Sequence, residues 1–176
     1  MRDIIRANAL AASSLIILAC ESGRSPGEER RVQPVERRAA PSPSGDRPVF
    51  VKGPSNGAPV APFVAREVTD AQHGGYNLLV YVGAIWCEPC QRFHAAVEAG
   101  EFDAILPRAH LVEFDLDHDK DALTAAGYSS NLIPLFCIPK TDGTASSRRI
   151  EGSIKGPDAV GQNLIPRLRA FLAGSG

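Results

Sequence analysis

The chain has 176 residues, enough for one domain with a real core and, once its front is set aside, too few for two. Its 19 Lys and Arg nearly balance 20 Asp and Glu, and beyond residue 62 the balance is 10 against 14. Nothing in that balance suggests a nucleic-acid partner.

Residues 1–19 read as an export signal, with Arg2 and Arg6 as the charged start, Leu10 to Ala19 as the apolar core and Ala19 as the small residue before Cys20. Such a core is too short to span a bilayer comfortably as a mature helix. Ile17-Leu18-Ala19-Cys20 resembles the bacterial lipoprotein cleavage box, in which the cysteine is lipidated and becomes the new N-terminus. Leu is more usual where Ile17 stands, and a smaller residue where Leu18 stands. Lipidation of Cys20, ordinary secretion and an uncleaved anchor all put the protein outside the cytoplasm. The expectation is a bacterial cell-membrane lipoprotein facing the periplasm or the cell exterior.

Residues 20–62 are rich in Pro, Gly, Ser and charge and poor in large apolar side chains. A segment of that composition buries too little surface to order itself and reads as a disordered tether. At this length its reach is on the order of 35 Å.

From residue 63 to 176 strands and helices are expected to alternate. Phe63 to Val68 reads as a weak first strand and Thr69 to His73 as a helical turn ended by Gly74-Gly75. Asn77 to Val82 is a continuous apolar run, as in a strand covered on both faces. A helix from Pro89 carries Cys90, Phe93 and Val97 on one face and stops at Gly100. Leu111 to Leu116 alternates like a strand, and Asp119 caps a helix ended by Gly127. Asn131 to Ile138 is a strand with Pro134 near its start; the turn Thr141-Asp142-Gly143 joins it to a partner around Arg148 to Gly152. The last helix, Asp158 to Leu172, contains Pro166, which should kink or split it.

The chemistry centres on Trp86-Cys87-Glu88-Pro89-Cys90, placed between the strand and the helix. Two thiols at this spacing can close a small disulfide and reopen it. Cys87 falls at the helix start, where unpaired N–H groups and the positive end of the dipole favour a thiolate, so it is the candidate nucleophile. Pro89 suits a first turn, having no N–H to leave unpaired. Cys90 lies further in, placed to resolve a mixed disulfide. Cys-x-x-Cys also opens zinc ribbons, but neither a second such pair nor His-x3-His follows, and no metal site is expected. Cys137, between Phe136 and Ile138, reads as a buried free thiol.

This order of elements resembles thioredoxin. The likeness covers roughly residues 63 to 174 and rests on Trp86-Cys87-Glu88-Pro89-Cys90, on Ile133-Pro134 with Pro134 placed 44 residues after Cys90, and on Gly152. It implies an α/β thioredoxin fold, with a central mixed sheet of four to five strands flanked by helices. It also implies a cis proline at Pro134 beside the sulfurs, the Ile133 backbone as the edge that pairs with an extended substrate, and Trp86 shielding one side. The buried Asp that cytoplasmic thioredoxins place six residues before the first active cysteine is here Tyr81, a poor base at neutral pH. Glu88 is the nearest substitute in sequence. It stands where Gly is usual, and its charge should disfavour the Cys87 thiolate and make the couple more reducing. Cys-Glu-Pro-Cys in an exported chain is also similar to the ResA-type reductases of cytochrome c maturation, although the short interval before Pro134 leaves little room for the added segment those proteins carry.

The resemblance implies a thiol-disulfide oxidoreductase, a reductase of protein disulfides with the Cys87–Cys90 dithiol in place of a cofactor. Its partners would be protein disulfides and a membrane electron donor, reached from a lipid anchor, and the chain is expected to act as a monomer. No glycine-rich dinucleotide loop is present. Two alternatives stand: a soft-metal chaperone carrying Cu(I) on Cys87 and Cys90 with His94 or Cys137, and a permanently oxidised structural pair.

Overall fold

A computed structural model describes residues 45–55 and 57–174. The export signal, Cys20 and most of the expected tether lie outside the described residues. The elements are β1 (Val49–Lys52), α1 (Val60–Gly74), β2 (Asn77–Gly83), α2 (Glu88–Glu98), β3 (Ala109–Asp115), α3 (Leu116–Ala125), β4 (Leu135–Pro139), β5 (Ala145–Glu151), a π-helical segment (Ala159–Leu164) and α4 (Ile165–Ala173).

They form one five-stranded mixed sheet in the order β1-β3-β2-β4-β5. The pairs β1–β3 and β2–β3 are parallel, while β2–β4 and β4–β5 are antiparallel. β2 is central because it is apolar on both faces: Leu79 and Tyr81 point to one side, Val80 and Val82 to the other, and all four are fully buried. The first cluster gathers Leu79, Tyr81, Leu111 and Phe136 of the sheet with Phe93 and Val97 of α2, Leu164 of the π-helical segment and Leu168 of α4. The second gathers Val80, Val82, Val112 and Cys137 with Val60 and Val64 of α1 and Leu123 of α3.

Two expectations fail at the front of the domain. Phe63 to Val68 is not a strand; it is the middle of α1. Val60, Val64 and Ala71 make the buried stripe of that helix, and a window opened at residue 63 cuts this period short. The edge strand is instead Val49–Lys52, inside the span 20–62 expected to be tether. Only four residues long and bordered by Pro48, Gly53 and Pro54, β1 carries too little pattern to be told from a proline-rich linker. Its register is nonetheless regular, Val49 opposite His110 through Lys52 opposite Glu113.

The last helix is divided as Pro166 required, with the π-helical segment ending at Leu164 and Pro166 in the first turn of α4. α3 starts earlier than expected: Asp115 is its N-cap, accepting from the amides of Asp117 and His118, while the Asp119 carboxylate accepts from the Asp115 amide. Asp119 thus contributes to this cap from inside the helix.

Candidate functional site

Cys87 is the N-cap of α2, with extended backbone, and Glu88 and Pro89 follow in the first turn. A closed disulfide joins it to Cys90, the two Cα atoms 5.2 Å apart. The Cys90 amide points at Cys87 Sγ from 3.3 Å, so a backbone donor already faces the sulfur on which negative charge would develop. Both residues are buried, at 4% and 2% exposure. Sequence reasoning expected Cys87 to be the open one of the pair; the difference in exposure is slight.

The surroundings are open where Cys87 is not. Ile85, Trp86, Leu132 and Ile154 are exposed large apolar side chains from three loops. Trp86 is 62% exposed but fixed, its Nε1 donating to Asp117 Oδ2 at 2.7 Å. The Ile133–Pro134 peptide is cis, Pro134 is buried, and Ile133 packs against the cluster that contains both cysteines. Topology explains the meeting: Val82, near the end of β2, pairs with Leu135, the first residue of the antiparallel β4. The loop after β2 and the loop before β4 therefore share one end of the sheet. Gly152, just past β5, donates its amide to Pro134 O at 2.9 Å and holds the second loop in place.

Glu88 does not stand as a bare charge beside Cys87. Its carboxylate takes the Arg92 guanidinium one helical turn away, and the Gly156 amide at 3.0 and 3.2 Å. Arg92 first and Gly156 second hold its carboxyl below the usual glutamate range. The repulsion expected on the Cys87 thiolate is thereby offset by a neighbouring cation. Glu88 also fastens the loop after β5 to the active helix.

Tyr81 lies on the α2 face of the sheet, its ring 5.3 Å from those of Phe93 and Phe136. Its hydroxyl is buried with no hydrogen-bond partner among the described residues. A side chain at Gly83 would put Cβ 2.6 Å from that oxygen and force the phenol to shift. Burial, and then the Glu113 charge, push the phenol far above its ordinary value. Cys137 is buried on the opposite face, in the second cluster.

Sequence reasoning named the cysteines, Trp86, Glu88, Pro89, Ile133 and Pro134, and the structure brings them to one end of the sheet and the first turn of α2. It missed Asp117, Arg92 and Gly156, which hold these residues in place, and the pair His94–Glu113, with Nε2 2.8 Å from Oε1. Arg92 had a local signal, four residues after Glu88. The other three depend on contacts between distant segments.

No protein-family model matches the chain, and no curated protein matches it. Among solved structures it is similar to a mutant thioredoxin from Halobacterium salinarum NRC-1, at 21% identity and TM-score 0.40 over 74% of this chain and 95% of that one. It is also similar to Trichomonas vaginalis thioredoxin, at 20% identity and TM-score 0.42 over 74% and 99%. A third is oxidised thioredoxin O1 from Arabidopsis thaliana, at 17% identity and TM-score 0.44 over 73% and 97%.

Proposed function

We propose that the protein is an extracytoplasmic thiol-disulfide oxidoreductase that reduces protein disulfides from a bacterial membrane to which Cys20 anchors it. The observation that carries this reading is the Cys87–Cys90 disulfide at the start of α2, beside the loop that holds cis Pro134 and within a rim of exposed apolar side chains. Apolar surface around a small reactive centre suits an unfolded or extended polypeptide better than a small solute.

In the reduced protein the Cys87 thiolate attacks one sulfur of a substrate disulfide and expels the other as a thiolate. Cys90 then gives up its proton and attacks Cys87 Sγ, so that the Cys87–Cys90 bond forms, the mixed disulfide breaks and the second substrate thiol leaves. Two electrons pass to the substrate. A membrane dithiol donor must return them before the next cycle. Ile133 would offer its backbone to the substrate strand, and Trp86 would cover one flank.

The metal-chaperone alternative has less behind it. Cys137 sits across the sheet, and His94 is engaged by Glu113 and Phe50.

The test is turnover of insulin disulfides by the full chain with dithiothreitol as reductant. The wild type should precipitate insulin well ahead of dithiothreitol alone, and Cys87→Ser should return the rate to background. Equal rates in the two proteins would overturn the proposal. Palmitate incorporation that disappears in Cys20→Ser would support the anchor; unchanged labelling would remove it.

A further inference from the structure

Resolution asks something awkward of Cys90. The residue is buried to 2% exposure, where a thiolate loses its solvation, yet on the oxidoreductase reading it must shed a proton before it can attack. Tyr81 is no base, because its phenol is held protonated by burial. Glu88, the nearest carboxylate in sequence, is turned toward Arg92 and Gly156.

A second group of side chains stands closer to the problem. Cys90 lines a cleft of about 820 Å³ together with Tyr81, His94 and Glu113. The placement follows from the register. Tyr81 and Glu113 are opposite each other in the parallel β2–β3 ladder and so share the face under α2. His94 follows Cys90 by four residues, one turn along α2 and on the same side, with Cβ atoms about 5–6 Å apart at that spacing. The imidazole is fixed on two sides: its ring lies parallel to Phe50 with centroids 4.1 Å apart, and its Nε2 is 2.8 Å from Glu113 Oε1. The Glu113 charge beside Nε2 favours a proton on that nitrogen and leaves Nδ1 as the one to receive another. Nδ1 has no partner among the described residues. The buried Tyr81 hydroxyl, also without a partner, calls for a water on the same side of the sheet.

We infer that His94 accepts the Cys90 proton in the resolving step, through a water held on the Tyr81 hydroxyl, and that Glu113 is the positioning residue that keeps Nδ1 free for it. The step balances: the Cys90 S–H bond breaks, its electron pair stays on sulfur and attacks Cys87 Sγ, the substrate sulfur leaves with the pair of the broken S–S bond, and the imidazolium returns the proton to that leaving thiolate through water.

Other charged groups face the cleft. Lys52 lies opposite Glu113 in β1, and Glu98 is one turn beyond His94. Asp115, His118 and Asp119 stand at the start of α3. There His118 Nδ1 is 3.1 Å from Asp115 and its side chain is 76% exposed, while Asp119 is occupied with the Asp115 amide. His118 is therefore the control for a nonspecific histidine effect.

The experiment uses the full reduced chain and Ellman's reagent in a stopped-flow instrument between pH 5 and pH 9. Attack by Cys87 releases the first thionitrobenzoate, and attack by Cys90 releases the second in a phase independent of concentration. His94→Gln should slow that second phase about tenfold at pH 7, a modest share of general-base catalysis. The deficit should close toward pH 9, where hydroxide takes the Cys90 proton unaided. Glu113→Gln should slow the same phase by a smaller factor than His94→Gln, since the imidazole remains but loses the carboxylate that orients it. His118→Gln should overlay the wild type. A His94→Gln profile that matches the wild type, or falls uniformly at every pH, overturns the inference. Absence of any concentration-independent phase in the wild type overturns the oxidoreductase reading instead.

Discussion

On the α1–α3 face of the sheet, Val60, Val64, Val80, Val82, Val112 and Leu123 close over one another, and the polar atoms among them are accounted for. Tyr128 donates its hydroxyl to Gly143 O at 2.9 Å, and Cys137 Sγ faces the carbonyls of Ile138 and Ser146 at 3.5 and 3.7 Å. The face under α2 and α4 is built differently. Phe93 meets Tyr81, Phe102 and Phe136 edge-on or tilted at 4.8–5.3 Å, and these rings hold α2 down. At the edge of that aromatic layer the packing gives way to a cleft with an imidazole–carboxylate pair and a hydroxyl that has no partner among the described residues. Both faces bury a cysteine at 0–2% exposure, yet Cys137 lies in a strand facing carbonyls, whereas Cys90 lies in the first turn of a helix and lines a cleft with an imidazole and a carboxylate. Burial by itself does not decide whether a thiol reacts; the donors and bases around it do.

β1 is where both faces are most exposed to a test, because Phe50 packs on the aromatic cluster and Val51 on the aliphatic one. Arg47, just before it, donates to the carbonyls of Val97 and Glu98 at the end of α2 and lies 3.3 Å from Asp103. A chain started at residue 60 would lack all of this and uncover Leu111 and Val112. The loss is on the order of 5 kcal/mol by buried apolar area, comparable with the whole stability of a small domain. Such a chain should show no cooperative urea transition, whereas one started at residue 45 should unfold in a single step. Equal midpoints would mean that β1 is an ornament on the edge.

That strand also marks where sequence reasoning stopped. β2, α2 and the β4–β5 hairpin were legible because each states its environment locally: an unbroken apolar run, a proline in a first turn, an Asp-Gly turn between two strands. β1 was not, since four residues among prolines carry no period and become a strand only by pairing with β3. α1 was misread because the strand reading began at Phe63, three residues into a helix whose stripe starts at Val60. The disulfide and the cis proline come from short motifs. Trp86–Asp117 and His94–Glu113 are made by α2, β3, α3 and their loops coming together, and no window on the chain contains both members.

The difference between the two cysteine sites predicts a second, smaller effect. Burial pushes the Cys137 thiol up, against the opposing pull of the Ser146 backbone contact. Under reducing conditions at pH 8, iodoacetamide should modify Cys87 and leave Cys137 untouched until the protein unfolds. Cys137→Ala removes one buried sulfur, should cost about 1 kcal/mol through the small cavity left, and should leave insulin reduction unchanged. Loss of turnover in that variant would join the two faces in one mechanism and break the contrast between them.

The smallest effect concerns the rim of the α2 face, where Glu88 ties α2 to the loop at Gly156. A carboxyl held below its ordinary value in the folded protein contributes its stabilisation above the unfolded pKa, about 4.3 for glutamate, and loses it as pH falls through the folded value. The tie should therefore be intact at neutral pH and release only under distinctly acid conditions. The amide signal of Gly156 should titrate with Glu88, its midpoint below the ordinary glutamate value in the wild type, and become flat in Glu88→Gln, whose overall unfolding midpoint should barely move because the group is solvated. A Gly156 signal that ignores both the acid and the substitution would show that Glu88 fastens nothing, and its charge would then act on Cys87 unopposed except by Arg92.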